Sequence, residues 1–247
     1  MTNPSLPRLL LLLGSGPGIG VSVASRFARS HFSAVALVAR NGEQLSKDRA
    51  TVLSAAAEAG RAVEVRTWQA DISDLWLLEK TLKEVEAFGR VECVYFNAAR
   101  VAPSPLLEFP VKEIEADFRV SALSLYVAAR WAMPLLTKNE SHPADWNPAF
   151  LVTNSLLPAS PFPDWFALSM TKAAQANLVK SLEKAFSSQG IHVGLVVIWG
   201  IVSPDSTGLN PSNIAEQAWK LYSQKREEWT SQVTVYDDGR VQWEDTI

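Results

Sequence analysis

The chain has 247 residues, of which 47% are hydrophobic and 20% charged, and this balance is typical of a globular protein and excludes extensive disorder. The net charge of -3 comes with no basic cluster, which argues against nucleic acid as a partner. Cys93 is the one cysteine, so an intrachain disulfide is excluded, and neither the thiol nor the three histidines have the spacing of metal ligands. We therefore expect a metal-free protein of a reducing compartment, the cytoplasm.

The apolar run at residues 9–13 is predicted to be a buried strand. It is too short for the apolar region of a signal peptide, and it leads into a glycine-rich loop where a signal peptide would have a cleavage site. No segment approaches the roughly 20 apolar residues that are needed to cross a bilayer. We expect no membrane association.

Short apolar segments alternate with helical patterns along nearly the whole chain. The predicted strands are residues 8–13, 34–39, 62–68, 91–96, 150–154, 192–198 and 232–236. The predicted helices begin after Gly20 and then cover residues 43–59, 75–88, 111–136, 169–188 and 214–229. Continuously apolar strands that are separated by helices indicate right-handed crossovers and a parallel sheet covered on both faces. The pattern predicts an α/β fold of Rossmann type, a doubly wound parallel sheet in three α/β/α layers, with residues 1–247 as a single domain.

Two connections differ in composition from the rest. Residues 138–148 form a polar stretch with two prolines, for which we expect a loop. Residues 204–211 are rich in Ser, Asn, Gly and Pro, and we expect a mobile flap there.

A glycine-rich loop connects the first predicted strand to the first predicted helix. Glycines permit a tight turn and a close approach of the backbone to a pyrophosphate, and the helix N-terminus attracts its negative charge. Loops of this kind also serve as plain turns, but the strand before it and the helix after it favour a dinucleotide site. The predicted binding residues are Gly14, Ser15, Gly18, Ile19 and Gly20.

The spacing Gly14-x-x-x-Gly18-x-Gly20 resembles that of the short-chain dehydrogenase/reductase family. The resemblance continues with Asp-Ile after the third strand, Asn-Ala-Ala after the fourth and Trp199-Gly200 after the sixth. It implies contacts with the adenine and the nicotinamide ends of the cofactor. The residues concerned are Asp71, Ile72, Asn97, Ala98, Ala99 and Val202.

The second strand ends at Arg40 without the acidic residue that usually holds the ribose 2′-hydroxyl of NAD. A guanidinium group pairs well with a phosphate, so Arg40 favours NADP(H) as the cofactor. The alternative is that Arg40 is a solvated surface residue.

The catalytic group that the resemblance implies is incomplete. In the family a serine, a tyrosine and a lysine share the proton transfer and hold the nicotinamide ribose. Lys172 and Ser155 match that pattern, but the tyrosine position is Leu168 and a frequent asparagine is Ser121. Leucine cannot exchange a proton, so ordinary ketone reduction is in doubt. Ser155 is alternatively a polar strand end, and Lys172 alternatively only anchors the ribose.

Asp164 and Trp165 lie in an apolar loop just before the helix that carries Lys172. We expect Asp164 to be partly desolvated, which either raises its pKa enough for acid/base work or leaves it ionised to hold a cationic substrate. The alternative is that Asp164 caps the helix. Trp165 is predicted to stack on the substrate. Arg130 is a possible ion-pair partner for Asp164, but on the long predicted helix it lies nine residues beyond Ser121 and therefore on the opposite face.

The segment Pro163-Asp164-Trp165-Phe166-Ala167 is similar to the loop of the bifunctional reductase/Diels–Alderases of malbrancheamide and paraherquamide biosynthesis in fungi. This resemblance implies an NADP(H)-dependent enzyme that reduces a cationic C=N group of an apolar indole alkaloid precursor and guides an intramolecular [4+2] cyclisation to a bicyclo[2.2.2]diazaoctane. The alternatives are a carbonyl reductase with a substitute proton donor and a non-catalytic NADP(H)-binding sensor or scaffold. The family resemblance also implies a homodimer or homotetramer.

Overall fold

The computed structural model describes residues 6–137, 143 and 145–245. Its centre is one eight-stranded sheet with the strand order β3-β2-β1-β4-β5-β6-β7-β8. All neighbouring strands are parallel except β7 and β8, which form an antiparallel hairpin. The strands are β1 Arg8–Leu13, β2 Ala34–Ala39, β3 Glu64–Gln69, β4 Arg90–Phe96, β5 Ala149–Ser155, β6 His192–Trp199, β7 Gln232–Tyr236 and β8 Val241–Glu244.

Within the described residues, seven α-helices connect the strands and cover both faces of the sheet. They are α1 Ile19–Ala28, α2 Gly42–Glu58, α3 Leu75–Glu86, α4 Val111–Phe118, α5 Ser124–Leu136, α6 Phe166–Phe186 and α7 Pro211–Tyr222. The predicted doubly wound α/β fold is confirmed, and the seven predicted strands lie within two residues of the observed ones. The sequence analysis missed β8, although the turn before it contains the hairpin signal Asp238-Gly239.

The strand β1 shows how the three layers are held together. All five residues from Leu9 to Leu13 are fully buried. Leu9, Leu11 and Leu13 belong to the core on the side of α3, α5 and α6, whereas Leu10 and Leu12 belong to the core under α1, α2 and α7. Because successive side chains of a strand point to opposite faces, a continuous run of leucines fills both cores at once.

Two predicted helices have different bounds in the structure. The predicted helix 111–136 is divided by a π-helical segment, Arg119–Leu123, because the chain accommodates an extra residue between α4 and α5. The predicted helix 214–229 ends at Tyr222, since Gln224 accepts hydrogen bonds from the amide and hydroxyl groups of Thr230 and closes a compact turn.

Residues 204–211, for which the sequence predicts a mobile flap, contact the β7–β8 hairpin in the structure. Gly208 donates its amide to the carbonyl oxygen of Asp237 at 3.1 Å, and the Ser206 hydroxyl donates to the Asp237 carboxylate at 2.8 Å. A Cβ at Gly208 would lie 2.0 Å from the carbonyl oxygen of Tyr236, so the two backbones are in direct contact. The segment is therefore packed on the β7–β8 hairpin. The predicted loop at 138–148 lies partly outside the described residues.

Candidate cofactor and active site

The predicted cofactor and catalytic residues share the carboxyl edge of the sheet. They lie at or just after the ends of β1 to β6, or just before or within the first two turns of α6. This edge is where ligands bind in open α/β sheets. No helix among the described residues is long and apolar enough to span a membrane. Within the same residues, no group of three His, Cys, Asp or Glu side chains is arranged to hold a metal ion.

The glycine loop packs directly against the turn after β4. Gly14 has a φ of 93°, and a Cβ at this position would lie 2.6 Å from the amide nitrogen of Ala98. Asn97 donates its side-chain amide to the carbonyl oxygen of Gly14 at 3.1 Å. A side chain at Gly20 would also clash with that carbonyl oxygen, at 2.7 Å. These contacts require glycine at both positions and fix the shape of the loop.

The outer side of the same loop leaves room for a ligand. A Cβ at Gly16 or Gly18 would meet no atom within 4 Å. Helix α1 begins at Ile19, and its N-cap residue Gly18 provides no side chain to cap the helix. An open helix N-terminus beside a bare backbone surface fits the pyrophosphate of a dinucleotide.

Arg40 is an exposed residue directly after β2, in a shallow depression. Gln69 donates to the carbonyl oxygen of Arg40 at 3.1 Å, so the backbone there is fixed while the guanidinium group is free to reach a ligand. Glu43 lines the same depression and bonds to Lys47 at 2.7 Å. The site therefore offers one arginine beside the place where a ribose 2′-phosphate would lie.

The positions expected to contact the two ends of the cofactor are partly accessible. The carboxylate of Asp71 accepts hydrogen bonds from the amide and hydroxyl of Ser73, and Ile72 beside it is buried. Val202 is partly buried against the core under α7. Ala99 is half-buried in the turn after β4. Their roles toward a cofactor stay predictions.

Lys172 lies in a buried position without the tyrosine that would accompany it in the family. Its ammonium group donates to the carbonyl oxygen of Thr153 at 2.8 Å, and burial lowers the pKa of Lys172 to about 7. Leu168, one helical turn earlier, is also buried. Ser155 ends β5 and is half-buried, and its hydroxyl oxygen accepts from the amide of Leu157 at 3.3 Å. Lys172 therefore contacts β5 two residues before Ser155, and the position one helical turn before Lys172 carries a leucine and no phenol.

Ser121 occupies the centre of the π-helical segment, and its partner is a residue that the sequence analysis missed. Gln175, fully buried on α6, donates to the carbonyl oxygen of Ser121 at 3.0 Å. The hydroxyl of Ser121 and the side-chain oxygen of Gln175 are buried and have no hydrogen-bond partner among the described residues. The sequence carried no clear signal for Gln175, because the buried face of α6 also contains Ser169, Thr171 and Lys172.

The expectations for the environment of Asp164 are wrong in two respects. Its side chain is exposed, so the predicted partial desolvation does not occur. It also does not cap α6, because the N-cap residue is Trp165 and the amide of Ala167 donates to the hydroxyl of Ser104 at 3.0 Å. Trp165 itself is half-buried at the start of the helix.

Ser104 connects the loop after β4 to the start of α6. Its amide donates to the carbonyl oxygen of Asp164 at 2.7 Å, and its own carbonyl oxygen accepts from Phe166 at 3.2 Å. Leu106 donates to the carbonyl oxygen of Pro163 at 3.0 Å. These bonds form a short parallel bridge that fixes the backbone of Asp164 while its carboxyl group stays in solvent.

Two arginines near this edge have their own partners. Arg100, directly after the Asn97 turn, bonds through Nε to the buried carboxylate of Asp117 at 2.6 Å and lies over the ring of Phe109. Arg130 forms an ion pair with Glu79 of α3, so it is a partner of that residue and not of Asp164.

Large apolar side chains are exposed on the three loops that surround the site. They come from the loop after β4, the loop before α6, and the end of β6 with the segment that follows it. The residues are Val101, Leu106, Leu107, Phe162, Trp199 and Ile201, which we call the apolar rim.

Comparison with known proteins identifies the family. A family model described as short chain dehydrogenase matches residues 8–213. Glucose 1-dehydrogenase of Gluconobacter oxydans is 26% identical over 196 residues, which are 79% of this chain and 70% of that protein. Short chain dehydrogenase pgmD of Aspergillus terreus is 23% identical over 226 residues, which are 86% of this chain and 70% of that protein.

A solved structure supports the fold independently. The NADPH-bound short chain oxidoreductase from Pseudomonas aeruginosa, which contains an atypical catalytic centre, has a TM-score of 0.78 at 21% identity. The similarity covers 93% of this chain and 95% of that chain, and at this identity it shows a common fold. Because the family model spans most of the sequence, the chain belongs to the short chain dehydrogenase family.

Proposed function

We propose that the chain is an NADP(H)-dependent reductase that transfers hydride to a cationic C=N group of an apolar substrate. The observation that carries this proposal is the buried Leu168 one turn before Lys172, where the family resemblance implies a tyrosine. Reduction of a ketone requires a proton on oxygen, and a leucine cannot supply one. Reduction of a preformed C=N cation requires hydride alone, so it tolerates the loss of the tyrosine.

The cofactor site fits a dinucleotide through the glycine loop, the Asn97 turn and Arg40. When bound, NADPH supplies the hydride. The pyrophosphate would lie against Gly16, Gly18 and the start of α1, and Arg40 would pair with the 2′-phosphate. The NADPH bound in the similar Pseudomonas aeruginosa structure supports this choice of cofactor.

The charge of Lys172 matters for a cationic substrate. Because burial lowers the pKa of Lys172 to about 7, a large part of the population is uncharged at neutral pH. An uncharged amine does not repel a C=N cation, and it still donates to the carbonyl oxygen of Thr153. An ordinary lysine at this position would remain charged and would oppose binding of the substrate.

Asp164 and the aromatic residues near it are proposed to bind the substrate cation. The carboxyl group of Asp164 is exposed and its backbone is held by Ser104, so it is available at a fixed place beside the site. Trp165 and the apolar rim provide aromatic and aliphatic surface for an indole or a similar ring system.

The test compares two substrates that differ in the reducible group. A cyclic iminium salt and the ketone of the same carbon skeleton are incubated with the protein and NADPH, and the nicotinamide absorbance is followed. We expect NADPH oxidation with the iminium and deuterium in its product when 4-deuterated NADPH is used. Faster reduction of the ketone would contradict the proposal and support a carbonyl reductase in which Ser155 or Asp164 is the proton donor.

Guidance of a [4+2] cyclisation is a second candidate, which the apolar rim favours. A cycloaddition requires orientation in a shaped apolar surface and no proton transfer. The measurement is the ratio of cyclised stereoisomers formed from a prenylated bicyclic azadiene with and without the protein. A ratio equal to that of the uncatalysed reaction would exclude this step. Tight NADPH binding with neither activity would support the sensor or scaffold alternative.

Assembly as a homodimer or homotetramer is also proposed. Leu123, Tyr126 and Met170 are exposed on the π-helical segment, α5 and α6, respectively. Burial of these side chains in a subunit interface would remove apolar surface from water. Sedimentation at micromolar protein concentration tests this, and a purely monomeric profile would contradict it.

A further inference from the structure

Asp48 is a buried acidic residue on α2 that none of the steps above uses. It is 2% exposed, and its carboxyl group accepts the hydroxyl of Ser15 at 2.6 Å and the side-chain amide of Gln44 at 2.7 Å. Among the described residues, no lysine, arginine or histidine lies within ion-pair distance of it. Its negative charge therefore has hydrogen-bond partners but no opposite charge.

Ser15 connects this carboxyl group to the cofactor loop. Its amide and that of Gly14 both donate to the carbonyl oxygen of Val38, at 3.1 and 2.9 Å. The side chain of Ser15 thus ties the loop to α2, while its backbone ties the loop to the end of β2. Arg40 follows Val38 by two residues, so the same junction carries the residue expected to pair with the 2′-phosphate.

A buried carboxyl group without a nearby cation joins α2 to the glycine loop at a cost in desolvation free energy. A leucine or methionine at position 48 would fill the same space and would carry no desolvation cost. The acid has two effects that an apolar residue lacks: it accepts the hydroxyl of Ser15, and it places a negative potential beneath a loop that receives anionic phosphates.

We propose that Asp48 is a specificity-determining residue of the cofactor site. Through Ser15 it positions the glycine loop, and through its charge it opposes the 2′-phosphate that Arg40 attracts. The ratio of the affinities for NADP(H) and NAD(H) is then lower than it would be with Arg40 and without the charge of Asp48. This inference rests on the cofactor site of the proposed function and does not depend on the substrate.

The charge effect is tested with Asp48→Asn, which keeps an oxygen to accept the Ser15 hydroxyl and removes the charge. Calorimetry measures the dissociation constants of 2′,5′-ADP and 5′-AMP, which differ by the 2′-phosphate. Because removal of the charge removes its repulsion of the 2′-phosphate in a partly solvated site, we expect the affinity ratio to shift toward 2′,5′-ADP by roughly threefold to tenfold. Glu58→Gln, which removes an exposed charge from the far end of α2, is the matched control and should leave the ratio unchanged.

The positioning effect is tested with Ser15→Ala, which removes the hydroxyl that joins the loop to Asp48. We expect both nucleotides to bind more weakly by the same factor, while Asp48→Asn retains the loop contact and weakens neither. Thermal unfolding of each variant confirms that it is folded, and Asp48→Ser replaces Asp48→Asn if the latter does not fold.

The outcomes separate this inference from the proposed function. An unchanged affinity ratio in Asp48→Asn would overturn the charge effect, and unchanged affinities in Ser15→Ala would overturn the positioning effect, while NADPH binding by the wild type would still stand. Failure of the wild type to bind 2′,5′-ADP would overturn the cofactor site itself and this inference with it.

Discussion

The replacement of Lys172 by methionine is expected to stabilise the folded protein in a pH-dependent way. Burial lowers the pKa of Lys172 from 10.5 to about 7. In the unfolded chain the amine regains its ordinary pKa, so between these two values the unfolded chain binds more protons than the folded one. Linkage then requires the free energy of unfolding to decrease as the pH falls through this interval. At about 1.36 kcal/mol for each pKa unit, the loss at pH 7 amounts to about 4 kcal/mol.

Lys172→Met removes the titrating group and keeps a long unbranched side chain. Urea unfolding of the cofactor-free wild type and variant is measured from about pH 9.5 to about pH 7, where the other titrating groups are common to both proteins. The advantage of the variant should grow by about 3 kcal/mol over this range. Lys184→Met, at an exposed position of α6, is the control and should show a constant difference. Parallel curves for wild type and Lys172→Met would refute the reasoning, because they would mean that the amine is not desolvated.

Four further substitutions address the site. Arg40→Ala should weaken NADPH about 10-fold to 100-fold and NADH much less, and equal weakening in a fluorescence titration would refute 2′-phosphate recognition. Asp164→Ala should abolish turnover of the iminium substrate and leave NADPH affinity nearly intact; unchanged turnover would exclude the role in cation binding. Leu168→Tyr should introduce ketone reduction at about 100 times the wild-type rate, since it restores a proton donor beside Lys172, and a folded but inactive variant would count against that account. Ser104→Ala should lower the free energy of unfolding by about 1 to 2 kcal/mol through loss of the α6 cap, and denaturant unfolding with no change would disprove the cap.

Much of the fold was accessible from the sequence because its signals are local. Continuously apolar strands such as 9–13 and helices with clear stops fix both the elements and the parallel order. The bounds of α2 and α3 were predicted to within two residues. The π-helical segment was not predictable, because its extra residue leaves the apolar spacing on both sides nearly unchanged.

In the candidate site, the sequence predicts features formed by neighbouring residues but not contacts between distant segments. The glycine loop could be predicted because all of its residues are consecutive in the sequence. The bridge between Ser104 and Asp164 could not, because it joins segments 60 residues apart. The environment of Asp164 was misjudged for the same reason. Its apolar sequence neighbours suggested burial, but Phe162 and Asp164 are exposed on a loop whose backbone is held by Ser104, and Trp165 is only half-buried. The packing of residues 204–211 on the β7–β8 hairpin likewise depends on β8, which the sequence analysis had missed.

Lys172 and Asp48 together favour a ligand-binding site over a purely structural role for this edge of the sheet. Each is a buried ionisable group without an oppositely charged partner among the described residues; Asp48 accepts a hydrogen bond from Ser15 of the glycine loop, and Lys172 donates one to Thr153 of β5. Such groups reduce stability, and an apolar side chain of similar size would remove that cost at either position. A protein in which the fold alone matters has no need of either group. We propose that cofactor binding at this edge of the sheet accounts for both groups, with the carboxyl group acting through Ser15 of the glycine loop and the amine through its place beside β5.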